Sequence, residues 1–246
     1  MREQAMTETK TERIRRHLSE TLPPPGSELP SESELMAEHG VSRNTIRRAL
    51  DALEAQGLIV SSQGSRRIVR DTHRWHWSMS EWERAHSYDG DAWANTIKAQ
   101  GGEPYNDIQV TTISAPEEVA KVLRIEPGTT IQARFRVRSV DGEPHQLCNS
   151  YFPPFVTDGN ELFWKPGDVG VPGGLLAATG HKQARFHDTL TARMPTDEEA
   201  QRLRMALGTP LLVHTRTGFD AEDRPVRLMV TRMAADRVEI SYDLET

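Results

Sequence analysis

The sequence predicts an α+β protein of two domains, the first helical with a small hairpin and the second an antiparallel sheet with helices. Three observations predict this class: two capped helices near the N-terminus, a turn-rich hairpin after them, and alternating helices and strands beyond residue 91. A chain of 246 residues is long enough for two cores. We predict domain boundaries at 1–71 and 91–246, with a tryptophan-rich linker at 72–90.

The first two helices are predicted from helical spacing and from capping residues. Residues 7–21 have the spacing of an amphipathic helix. Ser31 and Glu34 form an S-x-x-E capping box, which predicts a helix that runs to about His39 and ends at Gly40. The short Gly40 turn then leads directly into a further helix.

This further helix has one apolar and one basic side. Ser42 can cap its N-terminus, and Arg43 and Arg47 lie four residues apart with Asn44 and Arg48 beside them. Arginine can donate two hydrogen bonds to guanine O6 and N7, so this side suits the major groove of DNA. The apolar positions recur at helical spacing and predict a buried face: Ile46, Ala49, Leu50 and Leu53.

A hairpin follows the three helices. Leu58–Ser62 and Arg67–Arg70 are predicted to be two short strands joined around Gly64 and Ser65. In this interpretation Arg66 and Arg67 lie at the hairpin tip, within reach of phosphates or a minor groove. The order of helices and hairpin predicts a winged helix-turn-helix that reads DNA.

The charge of this region agrees with DNA binding. Residues 41–70 are rich in arginine and contain the acidic residues Asp51 and Glu54, whereas the whole chain has a net charge of −6. A basic surface on an acidic chain is typical of a DNA-binding module. The alternative is that each arginine is simply a solvated surface residue.

The motifs LPSE-x-EL, VSRNT-x-RRAL, L-x-x-QGL and QGS-x-x-x-V resemble the N-terminal domain of GntR-family bacterial transcription regulators. The resemblance covers about residues 7–71, and it implies DNA contacts by Arg43, Thr45 and Arg47 and a wing-tip role for Gly64. Many members have an arginine where this chain has Ser33, which predicts a different operator preference. The predicted DNA-contact residues are Ser31, Ser33, Ser42, Arg43, Asn44, Thr45, Arg47, Arg48, Gly64, Ser65, Arg66 and Arg67.

Composition narrows the class further. The sequence contains no run of eighteen apolar residues and no apolar signal-peptide core at its N-terminus. Cys148 is the single cysteine, which excludes an intrachain disulfide and fits a reducing compartment. We therefore expect a cytoplasmic protein without a membrane partner. His73 and His76 lack nearby cysteine or acidic ligands, so we predict no metal site and no cofactor.

The predicted linker is unusual because it contains Trp75, Trp77 and Trp82. These rings could pack the linker onto a domain, close over a ligand, or position the DNA-binding domains in a dimer. The sequence leaves these explanations open.

The second domain is predicted from hydrophobic alternation, turns and a second capping box, Thr196 with Glu199. Asp141-Gly142 is predicted to be a hairpin turn. The predicted helices are 92–100, 116–123 and 196–206, and the predicted strands are 107–113, 129–140, 144–152, 211–220, 226–233 and 237–242, in one antiparallel sheet.

The second half of this domain repeats the first at an offset of eighty residues. Residues 116–144 and 196–225 share a helix, a Gly-Thr pair, a strand, an acidic turn and a proline. Arg136 then matches Arg216, and two arginines on one sheet face would form an anion receptor. Chance similarity, and separate surface salt bridges for each arginine, are the alternatives.

The segments RVRSVDGEP, SYFP, GTPLL and DRPV resemble the UTRA effector-binding domain of HutC-type GntR regulators, a fold similar to chorismate lyase. The resemblance covers about residues 90–244 and implies that Arg136 and Arg138 hold the anionic group of an effector. Cys148, Arg227 and Met233 depart from sugar-phosphate-binding relatives, which predicts a more apolar anion. The predicted effector-binding residues are Arg136, Arg138, Cys148, Tyr151, Arg216, Arg227 and Met233.

An enzyme is the main alternative class. The chain contains no G-x-S-x-G, H-E-x-x-H or G-x-x-x-x-G-K-[ST] motif. His181, Arg185, His187 and Asp188 are expected to be ordinary exposed residues, so we predict no catalytic residue. We expect a repressor that binds a palindromic operator as a homodimer and leaves it when an effector binds. A constitutive DNA-bound structural protein is the third class.

Overall fold

The computed structural model describes residues 9–60, 66–70, 73–80, 91–167, 174–205 and 208–243. The chain divides into two compact units, and the second begins at Arg74. Each unit has its own buried apolar cluster, as two independent hydrophobic cores require.

The first unit contains the predicted helices and hairpin. Ser31 makes both bonds of its capping box with Glu34, and Gly40 ends the helix with a left-handed φ of 63°. Ile14 and Leu18 pack with the apolar face of the third helix. The elements are α1 (Lys10–Glu20), α2 (Glu32–His39), α3 (Arg43–Ala55) and the antiparallel strands β1 (Ile59–Val60) and β2 (Ile68–Val69).

The second unit is built on a six-stranded antiparallel sheet, whose strands lie side by side in the order Pro104–Ser114, Thr130–Val140, Glu143–Phe152, Pro225–Ala234, Leu211–Phe219 and Arg185–Arg193. Helices connect or precede the strands. The helices are α4 (Ala92–Ala99), α5 (Glu117–Leu123), α6 (Pro154–Thr157), α7 (Gly174–Ala178) and α8 (Asp197–Arg202), with a 3₁₀ turn at Glu161–Trp164. The strands are β4 (Pro104–Ser114), β5 (Thr130–Val140), β6 (Glu143–Phe152), β7 (Arg185–Arg193), β8 (Leu211–Phe219) and β9 (Pro225–Ala234).

Two further strands correct the sequence prediction. β3 (Trp75–Ser78) pairs in parallel with β10 (Val238–Ser241) in a separate two-stranded sheet. Residues 237–242 therefore do not extend the antiparallel sheet, and part of the predicted linker is a strand of the second unit. Packing onto this unit is confirmed for Trp77, which is 3% exposed, and for Trp75. Trp82 lies outside the described residues.

The six-stranded sheet confirms the internal repeat. The two halves contain the same elements in the same order, β4-α5-β5-β6 and β7-α8-β8-β9. In the sheet, β6 pairs with β9 at the centre, and the other strands follow in mirrored order on each side. The pairs Ile108–Arg136 and Asp188–Arg216 are separated by the predicted offset of 80. Each hairpin also contains one irregularity, after Arg138 in β5 and after Gly218 in β8, which are equivalent positions.

The two faces of this sheet are covered differently. α5 packs on one face, against Ala133, Tyr151 and Leu228. β3 and β10 pack on the other face, where Trp77 and Met79 contact a cluster that includes Cys148. We call this second face the arginine face, because Arg136 lies on it beside Cys148, its register partner.

Candidate DNA interface and effector site

Helix α3 presents the predicted DNA-contact residues. The Ser42 hydroxyl accepts a hydrogen bond from the Thr45 backbone N–H at 3.3 Å and lies 2.9 Å from the Thr45 hydroxyl, which fixes the start of the helix. Because the apolar side of α3 is buried, its opposite side faces solvent. The Arg43 and Arg47 side chains are therefore 66% and 62% exposed. Asn44 and Arg48 are also exposed.

A carboxylate at the start of α2 faces these arginines. Glu32 Oε2 lies 3.9 Å from Arg43 Nε, and Glu32 Oε1 lies 3.7 Å from Arg47 Nε. Such distances between exposed groups give weak ion pairs, which DNA phosphates can replace. The arrangement holds the two arginines near one another on the outer side of the helix-turn-helix.

The start of α2 carries the two predicted serines. The Ser31 and Ser33 hydroxyls are 3.0 Å apart, and the Ser31 N–H donates to Glu34 at 2.7 Å. Hydrogen bonds from Ser31, followed by the charge of Arg66, lower the pKa of Glu34. Ser33 is exposed, so the position that is arginine in many relatives faces solvent here.

The structure corrects the prediction for Arg67. Its side chain is only 19% exposed and forms ion pairs with Glu32, Asp51 and Glu54 at 3.3 to 4.0 Å. Arg67 therefore joins the hairpin to α2 and α3, because a basic side chain among three carboxylates is held inward. Arg66 is 50% exposed, as a phosphate contact requires. Gly64 and Ser65 lie outside the described residues.

In the second unit, two arginines from different strands meet at one hydroxyl. Arg136 Nη1 on β5 donates to Ser150 Oγ at 3.2 Å, and Arg227 Nη2 on β9 donates to the same oxygen at 2.9 Å. Ser150 is fully buried, whereas both arginines are half-buried. Guanidinium groups pair well with carboxylate and phosphate oxygens, so two of them that converge on one point of the arginine face could bind an anion there.

The electrostatic effect is visible at Arg227. Burial, together with the repulsion of Arg136, lowers the pKa of Arg227 to about 9. Among the described residues Arg227 has no carboxylate partner; it contacts Met229 Sδ at 3.1 Å. The surroundings of the arginine pair, by which we mean Arg136 and Arg227, are thus positive and rich in sulfur.

The other two predicted arginines are compensated by carboxylates. Arg138 is 5% exposed and donates to both oxygens of Asp91 at 3.2 Å, with its guanidinium over the Trp93 ring. Arg216 is 4% exposed and donates to the two oxygens of Asp188 at 2.7 and 2.6 Å. These charge-assisted hydrogen bonds hold both arginines within the fold, through Nη2 alone in Arg138 and through Nε and Nη2 in Arg216.

Burial acts against the ionised form of both aspartates, but the arginines outweigh it. Burial alone would raise the pKa of Asp91, and Arg138 and Asn106 reverse this so that the pKa is lowered. For Asp188, burial is likewise outweighed by Arg216 and His214, and its pKa is well below the usual range. Both aspartates are therefore ionised at neutral pH.

The structure brings six of the seven predicted effector residues onto one face, but their surroundings differ. Cys148 and Met233 are fully buried beneath Trp77 and Met79. Burial opposes ionisation of the Cys148 thiol, yet the neighbouring Arg138 lowers its pKa. The six residues are Arg136, Arg138, Cys148, Arg216, Arg227 and Met233.

Tyr151 is the exception, and its prediction as an effector-binding residue on the same face as Arg136 is corrected. Its neighbour Ser150 lies on the arginine face, so Tyr151 points to the opposite face, as strand alternation requires. There its ring packs edge-on against Phe135, with ring centroids 6.2 Å apart. Tyr151 is a core residue beneath α5.

Sequence analysis also missed residues that shape this site. Asp188, expected to be exposed, has a side chain that is only 15% exposed and accepts from Arg216. His214 is fully buried and lies 3.0 Å from Asp188 Oδ1. The missed signal was the repeat itself, because extending the offset to β7 pairs Asp188 with Arg216.

The exposed arginine helix and the basic sheet site together define the class of a DNA-binding transcription regulator with a separate effector-binding domain. Residues 7–69 match the family model for bacterial regulatory proteins of the gntR family, and residues 100–239 match the UTRA domain. The chain belongs to the GntR family and has the UTRA, HutC-type, architecture. This is a class of regulators and not of enzymes.

Relatives agree with this assignment. An uncharacterized HTH-type transcriptional regulator of Rhizobium meliloti is 30% identical over 218 residues, covering 87% of this chain and 85% of the relative. The HTH-type transcriptional regulator GgaR of Escherichia coli is 26% identical over 216 residues, covering 86% and 79%. PhnF from Mycobacterium smegmatis has the same fold, with a TM-score of 0.58, 20% identity and coverage of 97% and 100%.

No helix within the described segments is both long and apolar enough to cross a membrane.

Proposed function

We propose that the protein is a ligand-responsive repressor that binds a palindromic operator as a homodimer in the cytoplasm. Arg43 and Arg47 would read bases in the major groove, with Asn44, Thr45 and Arg48 beside them at bases or phosphates. A single helix of this length contacts one half-site, so two copies related by twofold symmetry are needed for specific affinity.

We assign the effector to the arginine pair. The observation that carries this proposal is the shared hydroxyl: Arg136 and Arg227 both donate to Ser150, and the pair is half-buried. The effector is therefore a small anion whose carboxylate or phosphate lies between the two guanidinium groups. Met229 beside Arg227 favours an apolar remainder. Effector binding would favour a conformation that binds the operator less tightly, with a typical coupling of about 1 to 3 kcal/mol.

Operator binding tests the first part of the proposal. Arg47→Ala should abolish the difference in affinity between the operator and unrelated DNA, measured by fluorescence anisotropy. Arg13→Ala is the matched control, because Arg13 is an exposed arginine on α1 and its loss removes the same charge. Sequence preference that survives in Arg47→Ala would remove this residue from base recognition.

The wing can be tested by the salt dependence of binding. Arg66→Ala should weaken binding to every DNA sequence and reduce the salt slope by about one counterion. An unchanged slope would show that Arg66 does not lie at a phosphate.

The effector can be sought by native mass spectrometry of the purified protein and then tested for operator release. Arg136→Ala should bind the operator normally but fail to respond to the anion, whereas Arg202→Ala, an exposed arginine on α8, should respond as the unmodified chain does. Normal release in Arg136→Ala would contradict the site. If no metabolite changes the affinity for the operator, a constitutive DNA-bound structural protein would be the better explanation.

A further inference from the structure

Three potential metal ligands meet where α1 and α2 end in the DNA-binding unit. His17 lies in the last turn of α1, and Glu38 and His39 are the last two residues of α2. One ligand atom from each of the three side chains lies within 4.8 Å of the others. The His17 and His39 ring centroids are 5.4 Å apart, with the rings nearly perpendicular at 80°.

The backbones that carry these side chains are fixed. The Thr21 hydroxyl donates to the His17 carbonyl at 2.8 Å and ends α1, while the Gly40 N–H donates to the Met36 carbonyl at 3.0 Å and ends α2. Leu18, next to His17, is buried in the core of the unit. The group therefore does not depend on a loop for its position.

One ring nitrogen in the group has an unmet need for a partner. His39 Nε2 is buried, and within the described ranges it has no hydrogen-bond partner. A buried nitrogen without a partner costs free energy that a bound cation would recover. The His17 and Glu38 side chains are exposed and can rotate toward such an ion.

We propose that His17, Glu38 and His39 form a site for a divalent transition metal of the zinc type. Two imidazoles and one carboxylate are a common zinc ligand set, with water in the fourth position. Zinc–nitrogen bonds of about 2.1 Å place tetrahedral ligand atoms about 3.4 Å apart, so ligand atoms that are now within 4.8 Å of one another must approach by at most about 1.4 Å. The exposed members of the group, His17 and Glu38, make this adjustment.

The bound ion connects α1 to α2 directly. Because the ligands meet only in the folded unit, metal binding stabilises the fold in proportion to the metal concentration. This site is independent of the effector site and of the proposed repressor function.

The test uses the full chain without a histidine tag, stripped of metal with a chelator and titrated with zinc chloride by calorimetry. We expect one zinc ion per chain and a higher unfolding temperature with zinc. Cobalt(II) should give the visible absorption of a tetrahedral site with nitrogen and oxygen ligands.

His17→Gln, Glu38→Gln and His39→Gln should each weaken zinc binding at least tenfold. His187→Gln, which removes an exposed histidine from β7, should leave zinc binding unchanged. His17→Gln and Glu38→Gln alter only exposed side chains, so they remain informative if His39→Gln does not fold. Zinc affinity that is equal in the unmodified chain, His17→Gln and Glu38→Gln would overturn the proposal, as would the absence of any zinc binding.

Discussion

The two halves of the six-stranded sheet have the same backbone arrangement but differ in the residue that lies opposite the equivalent arginine. Arg136 and Arg216 occupy equivalent positions on β5 and β8. In the second half the residue opposite the arginine is Asp188, which holds Arg216 in a bidentate pair. The equivalent residue in the first half is Ile108. One half therefore encloses a neutralised pair, and the other presents its arginine beside Arg227.

This difference separates structural from binding arginines. A buried arginine with a bidentate carboxylate contributes to the fold only while both partners are present. In our proposal, the two arginines that share the Ser150 hydroxyl bind an anion from outside the chain. The same distinction holds in the DNA-binding unit, where Arg67 is held by three carboxylates and Arg47 is exposed.

The largest effect should come from breaking the neutralised half. Asp188→Asn removes the charge that holds Arg216 and His214, and we expect it to lower the free energy of unfolding by about 4 kcal/mol. Urea denaturation followed by circular dichroism measures this change. Asp107→Asn, at an exposed aspartate on β4, is the matched control and should change stability little. Equal effects of the two variants would contradict a structural role for Asp188.

A second difference between the halves should appear at acid pH. His145 and Val226 are equivalent residues at the two hairpin irregularities, and His145 is 4% exposed. Burial lowers the pKa of His145 to about 4, so the folded chain binds fewer protons than the unfolded chain, whose histidine titrates near pH 6.5. The contribution of His145 to the free energy of unfolding is fully present above pH 6.5. It decreases as the pH falls toward 4, by about 3 kcal/mol in total.

Urea denaturation between pH 7.5 and pH 4.5 measures this loss. The variant His145→Gln should lose less stability over the same interval, since the remaining titrating groups are common to both chains. The same pH dependence in the variant and the unmodified chain would show that His145 is not responsible.

The two halves can also be made alike. Ile108→Asp places a carboxylate opposite Arg136, where Asp188 lies opposite Arg216, and neutralises one member of the arginine pair. We expect the affinity for an anionic effector to fall about tenfold, or about 1.4 kcal/mol, with operator binding retained. Calorimetry with the identified effector measures the change, and Ile108→Asn is the uncharged control. Unchanged affinity in Ile108→Asp would place the anion elsewhere.

The smallest effect should come from the opposite face of the sheet. Tyr151→Phe removes the hydroxyl that accepts from Asn149 Nδ2 at 3.2 Å and should cost about 1 kcal/mol of stability. Effector affinity should not change, because Tyr151 points away from the arginine face. A clear loss of affinity would return Tyr151 to the effector site.

Local signals accounted for nearly all of the first unit. Ser31, Gly40 and Ser42 fix the ends of two helices through contacts within a few residues, so sequence order alone located them. The ion pairs of Arg67 were not predicted, because its partners Asp51 and Glu32 are distant in sequence. They come close only when the hairpin folds against the helices.

In the second unit, local sequence patterns predicted the repeat but not every strand pairing. The repeat was legible in the sequence because turns and helix caps recur at a fixed spacing. The parallel pairing of β3 with β10 was not, since it joins residues at opposite ends of the domain. The orientation of Tyr151 follows from the register of β5 with β6, which places it on the face opposite Arg136.

By itself, the sequence determined the protein's class, its two-domain plan, the exposed arginines of α3 and the repeated arrangement of the sheet. These features depend on periodicity and on caps that act over a few residues. Only the tertiary structure decided which arginines are neutralised, because charge compensation depends on carboxylates brought together across strands. Arg138 and Arg216 donate to such carboxylates, whereas Arg136 and Arg227 donate to the Ser150 hydroxyl, where we propose that the effector binds.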